Sequence, residues 1–137
     1  MRDVGFDCFS HAKVSLCFHL VLATKYRRAC LFGLEDRLCD CVCRTLAGCG
    51  CSVLAIGVGH GDHLHVVFRV RKLGMDLGGI VVRVKQQSTF ELWRDCPERL
   101  SRFYRGRGHR LWSSGYFLAS VGHDSGNVLR YVRNQEE

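Results

Sequence analysis

Two β-prone runs, residues 51–58 and 63–70, are separated only by Gly59-His60-Gly61-Asp62. Glycine enters left-handed backbone geometry at little cost, so a four-residue link carrying two glycines prescribes an antiparallel hairpin. Its second arm reads His63-Leu64-His65-Val66-Val67-Phe68-Arg69-Val70. In a strand, residues two apart share a face, so His63 and His65 point the same way.

The remaining segments take their periods from the same logic. Residues 14–24 carry Val14, Leu16, Phe18, Leu20 and Leu22 on one side of a strand. Leu34, Leu38, Val42 and Leu46 recur at helical spacing over 34–47, and Gly48 and Gly50 end that helix. Leu77, Ile80, Val81, Val84 and Leu92 predict a second helix over 76–93, with Gly78 and Gly79 weakening its first turn. Residues 94–110 read as a basic loop carrying Phe103 and Tyr104, and 116–121 as a fourth strand. Ser125 caps a last helix whose apolar stripe is Val128, Leu129 and Val132, while residues 1–13 read as a flexible arm. The order β-α-β-β-α-β plus a terminal helix predicts an α+β fold. It is a ferredoxin-like split βαβ sandwich, an antiparallel sheet with helices on one face. That fold hosts many functions, so the site must decide.

At 137 residues and 47% hydrophobic content, the chain is read as one domain with a real core. Its formal charge of +7 suits a polyanionic partner, nucleic acid by default, or simply keeps it in solution. Nine cysteines cannot all pair internally, and no CxxC is present. Most read as small buried hydrophobes in a reducing cytoplasm; a zinc knot from Cys39, Cys43, Cys49 and Cys51 has poor spacing. No apolar run approaches membrane-spanning length and no signal-peptide pattern is present, so a cytoplasmic location is expected.

Two imidazoles on one strand face form the start of a divalent-metal site; the competing reading is a pair of solvent-facing histidines. Asp62 is either a ligand, an acceptor that orients an imidazole, or a turn residue. Tyr131 and Gln135 lie four apart in the helix-like tail and so share a face. Tyr131 reads as a packed aromatic or a nucleophile, and Gln135 as a solvated residue or an oxygen ligand for a hard cation. Together they suggest phosphodiester chemistry. Bound Mg²⁺ or Mn²⁺ would offset phosphate charge, and a covalent phosphotyrosine would conserve the bond energy, so rejoining needs no ATP.

Lys25-Tyr26-Arg27-Arg28 and Arg102-Phe103-Tyr104-Arg105-Gly106-Arg107 interleave cations with aromatics. Cations follow a phosphate backbone and aromatic faces stack on unpaired bases. Lys85, in the polar stretch Lys85-Gln86-Gln87-Ser88, touches DNA or faces water.

From about His11 to Gln135 the chain resembles the small single-tyrosine HUH transposases, the TnpA-type enzymes of simple insertion sequences. The resemblance rests on ordered segments. They are His19-Leu20-Val21-Leu22-Ala23-Thr24-Lys25-Tyr26-Arg27-Arg28, Asp62-His63-Leu64-His65-Val66-Val67 and Val84-Lys85-Gln86-Gln87-Ser88, then Leu111-Trp112-Ser113-Ser114-Gly115-Tyr116-Phe117 and Tyr131-Val132-Arg133-Asn134-Gln135. It implies His63, His65 and Gln135 as metal ligands and Tyr131 as the nucleophile that becomes joined to a 5′ phosphate. It further implies a homodimer whose sheets join, with the tyrosine helix of one subunit able to complete the other's site. The substrate it implies is single-stranded DNA bearing hairpins at the element's ends. From the basic and polar segments, Lys25, Tyr26, Arg27, Arg28, Lys85, Arg105 and Arg107 are the candidate DNA contacts, and neither a nucleotide cofactor nor a membrane is expected. One departure is the turn Gly59-His60-Gly61-Asp62, where relatives often place a proline before the aspartate.

Two other readings stand beside this one. A non-catalytic nucleic-acid module would explain the charge and aromatics. A metal hydrolase built on His60, Asp62, His63 and His65 would have no use for Tyr131.

Overall fold

The computed structural model describes residues 16–71, 74–106 and 108–122. The expected arm at 1–13, the helix from Ser125 onward, Arg107, Tyr131 and Gln135 lie outside them. Strand β1 (Leu16–Ala23) leads through a short helical turn into helix α1 (Glu35–Gly48). Strands β2 (Cys51–Gly59) and β3 (His63–Val70) form the hairpin. Helices α2 (Leu77–Asp95) and α3 (Pro97–Ser101) precede strand β4 (Phe117–Gly122). The four strands are antiparallel in the order β2-β3-β1-β4. This is the expected split βαβ arrangement.

One expectation needs correcting. Residues 94–110 are not all loop, because α2 runs on to Asp95 and α3 follows at once. Pro97 starts α3. Its missing N–H falls where a helix leaves that group unbonded anyway.

Register sorts the sheet into two faces. Leu20 lies opposite Val66, Leu22 opposite Leu64 and Phe18 opposite Phe68. These face the helices and share one buried cluster with Leu38, Val42 and Leu46 of α1 and Ile80, Val81, Val84 and Leu92 of α2. The other face carries His19, Val21 and Ala23 beside Val67, His65 and His63. Trp112 closes the core near α2. Its indole N–H donates to Ser88 Oγ at 2.9 Å, and that hydroxyl donates to Val84 O at 2.6 Å.

The two long helices are also joined by charge. Arg44 donates to both carboxylate oxygens of buried Glu91, at 2.8 and 3.3 Å, and Gln87 donates to Oε2 at 2.6 Å. These bonds hold the Glu91 carboxyl at about 2, below its ordinary 4.5. The folded state therefore binds its proton less readily than the unfolded one. The resulting stability is present above about 4.5 and disappears as pH falls toward 2. A Glu91→Gln variant is expected to lose about 1–2 kcal/mol at neutral pH. Thermal melts should show its gap from the parent chain closing as pH falls from about 4.5 toward 2.

The eight cysteines among the described residues are free thiols. Burial, with nearby negative charge adding to it, pushes Cys39, Cys41 and Cys51 up to about 11. Cys30 and Cys43 are raised by burial as well. No three His, Cys, Asp or Glu among the described residues converge to hold a metal, so Cys39, Cys43, Cys49 and Cys51 do not make a zinc knot.

Candidate metal centre and nucleic-acid interface

The hairpin turn brings the histidines to the end of β3. His60 and Gly61 both take left-handed geometry, at φ of 50° and 69°, and Asp62 N donates to Gly59 O at 3.1 Å. Two central residues of that hand match the twist of a tight hairpin. The His63 and His65 rings then lie 6.0 Å apart, centre to centre, on the face away from the helices.

Two features fix where the edges of these rings lie. Asp62 Oδ1 lies 2.9 Å from His63 Nδ1. A carboxylate only accepts, so Nδ1 carries the proton and Nε2 keeps its lone pair for a ligand. Opposite, β2 offers glycines. Gly57 pairs with His65 and Gly59 with His63. A Cβ built on Gly57 would come 3.1 Å from His65 Cε1 and Nε2, and one on Gly59 would collide with the same two atoms of His63. The Nε2 edges of both rings thus lie against bare backbone.

Asp62 is itself held. Arg27 donates from Nε to Oδ2 and from Nη2 to Oδ1, both at 3.3 Å. Burial works to raise the Asp62 carboxyl, but the hydrogen bonds from His63 and Arg27 outweigh it and bring it below the usual carboxylate range. Of the three roles open to Asp62 in the sequence, its contacts give that of an orienting acceptor.

His19, which the spacing within its own segment does not mark as a site residue, shares this face. It is 3% exposed, its ring centre 6.3 Å from that of His65. Burial and the neighbouring His65 depress its proton affinity. Its place could have been read from parity, since Leu16, Phe18, Leu20 and Leu22 occupy the alternate positions of β1. His60 lies 6.1 Å from His63. With no three-group cluster among the described residues, the hydrolase reading on His60, Asp62, His63 and His65 has no complete ligand set there.

The basic turn after β1 is fastened on three sides. Thr24 N donates to Asp62 O at 2.9 Å, and the single Thr24 hydroxyl proton is shared between Arg28 O at 2.8 Å and Asp62 O at 3.1 Å. Lys25 N donates to Leu111 O at 2.8 Å, and the Tyr104 hydroxyl donates to Lys25 O at 2.8 Å. Within it, Tyr26 and Arg27 stand at φ of 61° and 52°. Side-chain-bearing residues in that region are strained and persist only where their surroundings over-determine them.

A family model described as "Transposase IS200 like" matches residues 12–135. The chain belongs to the IS200-like transposase family. The match spans both Tyr131 and Gln135. Transposases of the insertion sequence element IS200 from Salmonella typhimurium and Salmonella typhi are each 24% identical over 128 residues, covering 93% of this chain and 82% of theirs. A crystallised transposase candidate from Deinococcus radiodurans R1 shares the fold at a TM-score of 0.68 and 23% identity, covering 98% of this chain and 97% of its own. A REP-associated tyrosine transposase bound to a REP hairpin shares it at 0.60 and 11%, covering 86% of this chain and 62% of its own.

In this IS200-like transposase the candidate DNA contacts separate into two groups. Tyr26, Arg28 and Arg105 line one cleft, beside Arg110, and Tyr26 is 61% exposed. Lys25 and Lys85 line a neighbouring one with Phe90 and His109. Lys85 commits its ammonium to the carbonyls of Ser113, Ser114 and Gly115, at 2.8, 3.2 and 3.2 Å. Arg27 faces Asp62. Among the described residues, no helix is long and apolar enough to cross a membrane.

Proposed function

We propose that the chain cleaves and rejoins single-stranded DNA at insertion-sequence ends through a covalent 5′-phosphotyrosine on Tyr131. The observation that carries this is the paired histidine edge over Gly57 and Gly59, with Asp62 fixing the His63 tautomer. That donor set fits a divalent ion. His63 and His65 would hold Mg²⁺ or Mn²⁺ with Gln135 as the third ligand. When bound, the ion offsets the charge of the phosphoryl oxygens and of the forming tyrosine–phosphate bond.

The chain's own residues do the rest. The Tyr131 oxygen bonds to phosphorus as the P–O3′ bond breaks, and the departing 3′ oxygen takes up a proton. The reverse attack by a 3′ hydroxyl frees the tyrosine and reseals a strand. Bond energy is conserved in the adduct, so no ATP is used. Lys25, Tyr26, Arg28, Arg105 and Arg107 contact the strand. Lys85 adds charge to its cleft while bracing residues 113–115, and Arg27 serves the strand through the site it supports. Hairpins at the element's ends are the recognition feature, which a relative bound to a REP hairpin supports. The chain acts as a homodimer, in the cytoplasm on chromosomal DNA.

The test uses labelled single strands from both flanks of the gene, incubated with protein and Mn²⁺ or Mg²⁺. A detergent-resistant protein–DNA adduct on a denaturing gel, lost on adding EDTA, is the expected result. Binding without adduct in both metals and on both strands would return the chain to the nucleic-acid module reading. Asp62→Ala should weaken Mn²⁺ binding by about 10–100-fold in a calorimetric titration, because outer hydrogen bonds to a ligating imidazole carry about that much. An unchanged affinity would remove Asp62 from the site.

A further inference from the structure

The cleft beside the basic turn has a composition that phosphate contact in general does not require. Arg28, Arg102, Arg105 and Arg110 converge on a space of about 490 Å³ with Tyr26 and Phe103, and among the described residues no carboxylate lines it. Among the described residues, none of these four guanidiniums is in an ion pair. Buried Tyr104 forms the floor, pinned through its hydroxyl to Lys25 O. Arg110 Nη1 donates to the Tyr26 hydroxyl at 3.0 Å, fixing that ring at the rim. The volume lies in the range of about 300–1,000 Å³ typical of sites for small organic ligands.

Resting on the strand-transfer reading above, we propose that this cleft takes one unpaired nucleotide of the single strand. Its phosphate lies on the arginines and its base on the Tyr26 and Phe103 rings. Planar guanidiniums suit phosphate oxygens in pairs, and exposed aromatic faces suit a base freed from its partner. The left-handed turn adds a consequence. Tyr26 enters the cleft while the next residue, Arg27, reaches Asp62, which holds His63. A nucleotide seated here is therefore placed in fixed register with the imidazole pair, and so sets which phosphodiester lies there.

Fluorescence anisotropy in EDTA isolates this pocket from strand cleavage. The probes are a short fluorescein-labelled single strand, an all-abasic strand of equal length and a blunt duplex. The abasic strand keeps every phosphate and loses every stack. The protein is expected to favour the base-bearing strand over it by roughly tenfold. Tyr26→Leu should bring that preference close to unity. Arg102→Ala/Arg105→Ala, at two exposed positions, should weaken both single strands alike and lower the salt dependence by about one counterion. A preference that survives Tyr26→Leu in a folded protein, arginine variants with parental affinity, or a duplex bound as tightly as the single strand would each overturn the proposal. Because no metal is present, absence of the adduct in the earlier test reads separately.

Discussion

A Tyr131→Phe variant is expected to bind single strands with parental affinity and to form no adduct. Phenylalanine keeps the aromatic ring but has no oxygen to bond to phosphorus. The loss should exceed roughly 10³-fold, since removing a covalent nucleophile removes the reaction path rather than weakening it. The cleft and the histidine pair remain, so binding in EDTA should be unchanged. A variant that still cuts the strand without an adduct would show water as the attacking group. That result would favour a hydrolase over a strand transferase.

Gly59→Ala should be almost as damaging, although it adds one methyl group. Gly59 sits opposite His63 in the β2–β3 register, and its new Cβ would collide with the Cε1 and Nε2 edge of that ring. A Cβ is fixed to the backbone, so the imidazole must turn away. Turning breaks its bond to Asp62 and misdirects the Nε2 lone pair. Displacements near 1 Å can cost about 100-fold in rate, and a drop of that order in adduct formation is expected. Gly48→Ala is the control. Its Cβ would meet nothing within 4 Å, and it lies in α1, where alanine is the better helix former. Folding checked by circular dichroism should be retained in both. Parental cleavage by Gly59→Ala would mean that the His63 edge is not the ligand edge.

The fold was legible because its signals are local. The hairpin turn, the period-two run at 63–70 and the helical spacing of Leu34, Leu38, Val42 and Leu46 depend on neighbours in the chain. β3 appears with the expected bounds, α1 shifts by one residue, and β1 ends one residue before its expected end. α3 is not legible because its five residues are too few for helical periodicity to register, and a proline can stand before a helix as well as after one. The site was legible only in part. The His63–His65 pair follows from strand parity alone. The glycine bed at 57 and 59, the approach of His19 and the Arg27–Asp62 contact depend on cross-strand register or on a left-handed turn. Neither is encoded by spacing within a single segment. Lys85 shows the same limit, since its three carbonyl partners lie 28 to 30 positions away.

The raised thiols carry a practical consequence for covalent labelling. The thiolate, not the thiol, reacts with alkylating agents. With Cys39, Cys41 and Cys51 near 11, only about one molecule in ten thousand carries the reactive form of each at pH 7. A chain with nine cysteines would ordinarily be a poor host for a site-specific fluorophore. Here a cysteine introduced at exposed Arg102 would out-compete those three by orders of magnitude at neutral pH. Those three thiols would stay dark, which leaves fewer native cysteines to replace before a dye at the rim of the arginine cleft can follow strand arrival.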